Sequence, residues 1–424
     1  MKDFRISKAF ISFFVSLHPK KTNKIMKKLI RKTVLLAFTL LTITTACGSN
    51  EIAPEKKPTP KPNTTPIEES VKYVGGDISL LPKYEQAHAI YKDKGTPTSP
   101  LALFKKAGWN TMRLRLFVNP ADYQGADRDT NACQDLAYIL PLAKQIKAAG
   151  FKILLDFHYS DTWADPGKQW TPKAWASLND AQLAAKVKTY TAEVLKKMNE
   201  NGVSPELIQT GNEISYGMLW GVNKASAKVC YPTSPQENWT RFTQLLRAAT
   251  TACREVCPKA KIILHTERVS TSQQHDNANY QALMNFYQQM QLAKIDYDVI
   301  GLSYYPYFHG SMNELDVVIS RLEQAFASKN IMLVETGYPY KWAVGGSTFD
   351  YSNQYPYSLQ GQQRFTSDLI TMLKSHKHVT GLFWWWPEFN AFNTQMSNWY
   401  NAPLFDSESG EATPALYELK KFVE

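Results

Sequence analysis

The chain has 424 residues, of which 44% are hydrophobic and 20% charged; it can bury a large core and is not disordered throughout. Its net charge is +10, yet 14 of the 48 Lys and Arg but only 5 of the 38 Asp and Glu fall in residues 1–72, leaving 34 basic and 33 acidic residues beyond. The basic surplus belongs to the leader, and the near-neutral remainder excludes a broad phosphate-binding face and a nucleic-acid partner. With 11 Trp and 22 Tyr, the folded part is well supplied with rings that stack on flat apolar faces.

Residues 1–25 read as an upstream extension, so translation starts at Met1 or at Met26. From Met26 the sequence runs MKKLIRKTVLLAFTLLTITTACGSN. A basic start (Lys27, Lys28, Arg31, Lys32) precedes an apolar run from Val34 to Ile43, well short of the ~20 residues of a membrane span, so this is a secretory signal. Ala46-Cys47-Gly48-Ser49-Asn50 resembles a bacterial lipoprotein signal, with Cys47 as the lipidated residue. Thr44 departs from that pattern and keeps ordinary signal cleavage as the alternative. Residues 48–72 are rich in Pro, Lys and Thr, a composition that gives an extended tether rather than a packed element. The expected layout is a signal over 1–47, a tether over 48–72 and one folded domain over 73–424. The expected location is the bacterial outer membrane, lipid-anchored and facing the cell surface. The remaining cysteines, Cys133, Cys230, Cys253 and Cys257, are even in number, which in an exported protein favours disulfides. Cys253 with Cys257, and Cys133 with Cys230, is the expected pairing.

After the tether, apolar or β-branched runs recur at Tyr73–Ser79, Thr111–Phe117, Lys152–His158, Leu207–Glu213, Lys261–Glu267, Tyr297–Tyr305, Ile331–Gly337 and Val379–Trp386. Amphipathic stretches separate them. Leu101–Ala107 follows Pro100 and stops at Gly108. Leu136–Ala149 stops at Gly150 and carries Pro141. Ala181–Asn199 takes Asp180 as its cap. Trp239, Phe242, Leu245, Leu246 and Ala249 mark one helix face, and Tyr280–Leu292, Glu314–Ala327, Gln360–Lys374 and Ala415–Val423 complete the series. Strict strand–helix alternation implies parallel pairing with right-handed crossovers. Eight units predict an α/β fold of one (β/α)8 barrel with long loops. A dinucleotide-binding sheet fits poorly, because the first strand offers only Gly75-Gly76, without a glycine-rich turn.

In such a barrel the site lies at the C-terminal strand ends. Asp77, Arg113, Arg115, Asp156, His158, Asn212, Glu213, His265, Glu267, Tyr304, Tyr305, Glu335 and Trp384–Trp386 all fall there. Two carboxylates beside aromatic platforms suit glycoside hydrolysis, one group protonating the leaving oxygen and the other attacking or activating water. Strand alternation puts Gln209, Gly211 and Glu213 on one face, and Glu213 on strand four and Glu335 on strand seven form the expected pair. Glu267 is a rival that spacing does not exclude.

From Tyr73 onward the chain resembles the endo-β-1,4-galactanases of glycoside hydrolase family 53, arabinogalactan-degrading members of a clan of retaining (β/α)8 glycosidases. The resemblance is carried by Gly76-Asp77-Ile78-Ser79, Arg113-Leu114-Arg115, LLDFHYSDTWADPGKQW over 154–170, Gly211-Asn212-Glu213, YDVIGLSYYPYFHG over 297–310 and Val334-Glu335-Thr336. It implies that Glu213 is the acid/base and Glu335 the nucleophile. It also implies that Asn212 bonds the sugar's 2-hydroxyl, that Asp77, Arg115, His158 and Tyr304 orient the carboxylates and sugar, and that Trp385 forms the floor. Trp170 and Trp220 are divided between outer subsites and loop packing. The expected partner is a β-1,4-galactan polysaccharide, the expected state a monomer, and no cofactor or metal is expected. HTERVSTSQQHDN after strand five departs from the family's glycine-rich stretch, with Glu267 and Arg268 reading as an ion pair at the cleft wall. A mannanase- or cellulase-like glycosidase, and a noncatalytic glycan-binding lipoprotein, are the alternatives; retention of both Glu213 and Glu335 counts against the latter.

Overall fold

The computed structural model describes residues 71–270, 278–390 and 402–424; the expected signal segment, Cys47 and the expected tether up to residue 70 lie outside them. Eight of the apolar runs form parallel strands: β1 (Tyr73–Asp77), β2 (Thr111–Leu116), β3 (Lys152–Phe157), β4 (Leu207–Thr210), β5 (Lys261–Thr266), β6 (Val299–Tyr304), β7 (Asn330–Thr336) and β8 (Val379–Trp385). Each pairs with its sequence neighbours, and β1 closes on β8, giving a closed (β/α)8 barrel. The outer ring is α1 (Pro100–Lys106), α2 (Leu136–Ala148), α3 (Asp180–Glu200), α4 (Gln236–Val256), α5 (Ala278–Leu292), α6 (Met312–Ala325), α7 (Leu359–Lys374) and α8 (Pro414–Glu418).

Near-continuous apolar strands are what a sheet buried on both faces requires. Leu154, Leu207, Ile263, Val299, Met332, Val334 and Phe383 fill the lower interior of the barrel. With the base plugged by hydrocarbon, the inward polar residues further along each strand can gather only at the C-terminal mouth. Gly75 in β1 serves the closure of the barrel, since a Cβ there would lie 1.6 Å from Thr111 O.

The helices begin where their caps dictate. Asn179, rather than Asp180, caps α3 in a reciprocal capping box with Gln182. Asp180 instead pairs with Arg241 and Lys228. Ser311 and Glu314 form the corresponding box on α6.

Strand four ends earlier than its apolar pattern suggests. β4 stops at Thr210; Gly211 then takes φ +100° and Glu213 φ +47°. Glu213 therefore owes its direction to a left-handed turn, not to strand alternation.

The expected disulfides are absent: Cys133, Cys230, Cys253 and Cys257 are all free thiols. Cys257 leaves the helix at the α4 C-cap and turns its Sγ toward Asn199 Oδ1 at 3.6 Å, while Cys253 is fully buried one turn earlier. Cys230 packs beside Gly217, and Cys133 sits beside Gln134, whose Nε2 lies 3.5 Å from its sulfur. Each cysteine occupies its own packing niche.

Candidate active site

Arg113 on β2 is the hub of the barrel mouth. Its Nη1 lies 2.9 Å from Asp77 Oδ2, and its Nη2 lies 2.7 Å from Asp156 Oδ2 and 2.8 Å from Glu335 Oε1. The same Nη2 donates to Asn212 Oδ1 at 3.0 Å. One planar guanidinium thus ties four strands to one geometry, which a Lys ammonium, a point charge on a flexible stem, does not reproduce. Arg115, two residues along the same strand face, puts its Nη1 2.6 Å from Asp77 Oδ1. Its guanidinium carbon is 4.8 to 5.6 Å from the ring centres of Trp163, Trp385 and Trp386. Arg115 is fully buried and supports the rings and Asp77. Asp77 also accepts from Ser79 N and Oγ.

Glu335 is 5% exposed and lies near the end of β7. Burial pushes its carboxyl up, to about 7. Arg113 opposes that rise, as does Tyr305 Oη, which donates to Glu335 Oε2 at 3.0 Å. Asp156 and Asp77 push the other way.

Glu213 is half-buried at the turn after β4. Its Oε1 accepts from Ser303 Oγ at 2.7 Å, and no cation among the described residues pairs with it. Burial first, then the charges of Glu335 and Glu267, raise its carboxyl well above the ordinary range. Two guanidiniums, Arg113 and Arg115, already face three carboxylates in this cluster, so a further negative charge on Glu213 is disfavoured. The pair is asymmetric: one carboxyl is held by a cation and a phenol, the other is left to keep its proton.

The turn that carries Glu213 is held from both sides. Gln169 Nε2 donates to Asn212 O at 2.8 Å and reaches Glu213 O at 3.3 Å. Ile214 N donates to His265 O at 2.9 Å, and Glu213 N donates to His265 Nδ1 at 3.3 Å. Asn212 Nδ2 donates to Ala164 O at 2.8 Å, which fixes the amide with its oxygen toward Arg113. His158 Nδ1 accepts from Ala164 N at 3.1 Å, and its Nε2 stands 3.2 Å from Asp156 Oδ2. Burial holds His158 below the ordinary histidine range, against the pull of Asp156. Burial opposes the charge of Asp156 in turn, but Arg113 and His158 hold its carboxyl below the ordinary range.

Trp385 closes the mouth at the end of β8, in register with Asp77. Its ring is 6% exposed, and its Nε1 is buried without a partner among the described residues. Such a surface offers a flat face and one donor. Trp220 is packed into the loop layer, 4% exposed, with Nε1 donating to Tyr216 O at 2.8 Å. Half-buried Trp170 meets it edge-on at 6.0 Å.

Two expectations change. Tyr304 does not face the carboxylates: strand alternation puts Ser303 and Tyr305 on the cleft side and sends Tyr304 outward, where its hydroxyl donates to Gly310 O at 3.1 Å. Tyr305 is the tyrosine on Glu335. Glu267, the rival carboxylate, is already engaged, with Oε1 2.6 Å from Arg268 Nε and Oε2 accepting from Ser215 Oγ at 2.5 Å. It acts on Glu213 through its charge. Ser303 and Gln169 escape a reading by residue type, because serine and glutamine carry no charge signal, and Tyr305 stands among the strand-end residues without a role of its own. All three nevertheless lie inside the long runs at 154–170 and 297–310.

The profile of glycosyl hydrolase family 53 matches residues 73–419. The arabinogalactan endo-beta-1,4-galactanase of Cellvibrio japonicus is 32% identical over 380 residues, covering 84% of this chain and 93% of that protein. The solved family 53 catalytic domain of Ignisphaera aggregans matches with a TM-score of 0.71 at 32% identity, over 84% of this chain and 97% of that one. A structure from a study of two fungal beta-1,4-galactanases matches with a TM-score of 0.67 at 28% identity, over 82% and 99% of the two chains.

Proposed function

The chain belongs to glycosyl hydrolase family 53, and from that premise we propose that it is an endo-acting, retaining galactanase that cleaves β-1,4-D-galactosidic bonds in the galactan side chains of pectin. Glu335 is the nucleophile and Glu213 the acid/base. Glu335 attacks the anomeric carbon while Glu213 gives its proton to the departing glycosidic oxygen. Water then attacks the same carbon, Glu213 takes the water's proton, and Glu335 leaves as a carboxylate. Asn212 meets the 2-hydroxyl and Trp385 stacks under the ring.

One observation carries the retaining reading. Ser303 Oγ lies 2.7 Å from Glu213 Oε1 and 3.5 Å from Glu335 Oε2. One hydroxyl thus reaches both carboxyls, which supports the shorter spacing of a retaining pair over the ~6.5–9.5 Å that leaves room for an inverting water. The asymmetry of the pair supports the division of roles, since an acid must start protonated and a nucleophile ionised.

Product analysis tests the reading. Linear β-1,4-galactan should yield a spread of oligosaccharides early in the reaction, with the β-anomer formed first by NMR, while mannan and glucan stay uncut. A first-formed α-anomer overturns retention, and faster cleavage of mannan or glucan overturns the substrate. The protein is exported and anchored to the outer membrane through a lipidated Cys47, working as a monomer at the cell surface. The signal and tether composition supports that location. Cys47→Ala should move it from the membrane fraction to the soluble one; unchanged fractionation removes the anchor.

A further inference from the structure

Ser303 stands where the two carboxyls meet. It lies on β6, fully buried, with its Oγ 2.7 Å from Glu213 Oε1, 3.5 Å from Glu335 Oε2 and 2.8 Å from His265 Nε2. The direction of these bonds follows from the groups behind them. Gln209 Nε2 lies 2.5 Å from Asp156 Oδ1, an oxygen that only accepts while Asp156 is ionised, so the NH2 end of Gln209 is fixed. That NH2 lies 3.0 Å from His265 Nδ1, and the Glu213 backbone N–H points at the same nitrogen from 3.3 Å. Asn212 Oδ1, 3.1 Å from Nδ1, already accepts from Arg113. Nδ1 is therefore the acceptor, and a neutral ring carries its hydrogen on Nε2. Burial keeps His265 neutral, far below the ordinary range. His265 thus donates to Ser303, and the one hydrogen of Ser303 is left for a carboxylate.

We propose that Ser303 is a positioning residue that gives its hydroxyl hydrogen to whichever of Glu213 and Glu335 carries the negative charge, and so eases the change of Glu213 from acid to base; this rests on the roles given to the two glutamates above. In the glycosyl-enzyme Glu335 is an uncharged ester and Glu213 is the carboxylate. The hydroxyl then bonds Glu213 at the short distance seen here and stabilises the form that accepts the proton of the attacking water. As the C1–oxygen bond to Glu335 breaks, its electron pair returns to Glu335, which becomes the neighbouring anion. A rotation about its C–O bond, together with closure of the 3.5 Å gap to Glu335 Oε2, lets the hydroxyl follow the charge. The other ionisable groups that face Glu213 are Glu335 on β7, Glu267 after β5, Asp165 in the loop after β3 and the neutral His265 on β5. None of them supplies a hydrogen to its carboxylate among the described residues.

The test uses the full chain and a dinitrophenyl β-1,4-galactobioside, whose leaving group departs without a proton, so that hydrolysis of the glycosyl-enzyme limits kcat. The acid limb of the kcat–pH profile then reports ionisation of Glu213 in that intermediate. Ser303→Ala should move this limb to higher pH by about one unit. At a pH below the limb kcat falls about tenfold, with the alkaline plateau retained. Ser303→Cys, close in size and a weak donor, should move it in the same direction by less, and serves if the alanine variant does not fold. A limb that stays in place overturns the proposal, as does one that moves to lower pH or a loss equal at every pH. Glu213→Ala and Glu335→Ala separate the two failures. If both lose turnover on galactan while the Ser303→Ala limb is unmoved, only the role of Ser303 falls. If either stays active, the assignment beneath it falls first.

Discussion

Arg113 Nη2 lies 2.8 Å from Glu335 Oε1, and the same nitrogen lies 2.7 Å from Asp156 Oδ2. A single buried cation therefore holds the proposed nucleophile against a fixed carboxylate behind it. Glu213, lacking such a partner, keeps the opposite protonation preference. This difference in wiring, rather than any difference in residue type, sets the two glutamates apart and underlies the roles proposed for them.

The pH profile should show this wiring. Tyr305 donates to Glu335 Oε2 at 3.0 Å, a bond that favours the ionised carboxyl and so restrains a rise that otherwise takes it to about 7. Removing the donor in Tyr305→Phe raises that value further. As the proposed nucleophile Glu335 must be ionised, so the acid limb of kcat/KM should move to higher pH, by up to about one unit. Activity should be lost near neutrality and recovered in more alkaline buffer. A limb unchanged or moved downward contradicts the role given to Tyr305.

Arg113→Ala should cost both stability and activity. It leaves Asp77, Asp156 and Glu335 without their shared cation, and breaking a buried pair costs about 3–5 kcal/mol. Urea unfolding should show that loss at pH 7 and a smaller one in acid, where protonation removes the uncompensated charges. Equal losses at both pH values would mean that packing, not charge, explains the effect.

The barrel was legible in the sequence because its strands leave long traces, and so was the position of the proposed pair at strand ends. Eight apolar runs punctuated by Gly, Pro and caps leave little freedom for a different topology, and Glu213 and Glu335 sit inside extended motifs. Finer placement failed where it depended on one residue of phase. Tyr304 and Tyr305 are equivalent in composition, and only the inward direction of Ser303 decides between them. Alternation along 207–213 also misled, because Gly211 ends the strand before Glu213 is reached. The disulfides were inferred from an even count, which says nothing about whether the Cβ vectors meet.

Free thiols make a solution prediction. With Cys133, Cys230, Cys253 and Cys257 unbridged, a reductant should leave Tm unchanged. The denatured Cys47→Ala chain should titrate four thiols without prior reduction. Burial pushes the Cys230 thiol up to about 12, so the folded protein should react slowly there at pH 8. A reductant-dependent fall in Tm, or fewer than four thiols, would show that the chain is oxidised.

Gln169 tests whether the turn at Glu213 matters for proton transfer. A non-glycine residue at φ +47° is strained, by roughly 1–3 kcal/mol in such regions, and persists only where its surroundings hold it. Gln169 Nε2 holds the Asn212 and Glu213 carbonyls without touching the carboxyl of Glu213 or Glu335. Gln169→Ala should release the turn and let the acid drift, at a cost of about 10- to 100-fold in kcat on galactan, with KM changed much less. An aryl galactoside whose leaving group needs no proton should be cleaved in the first step almost as fast as by the wild type, measured as the pre-steady-state burst. An equal loss of burst rate on the activated substrate would place the damage at the sugar or at Glu335 and reject the clamp on the acid.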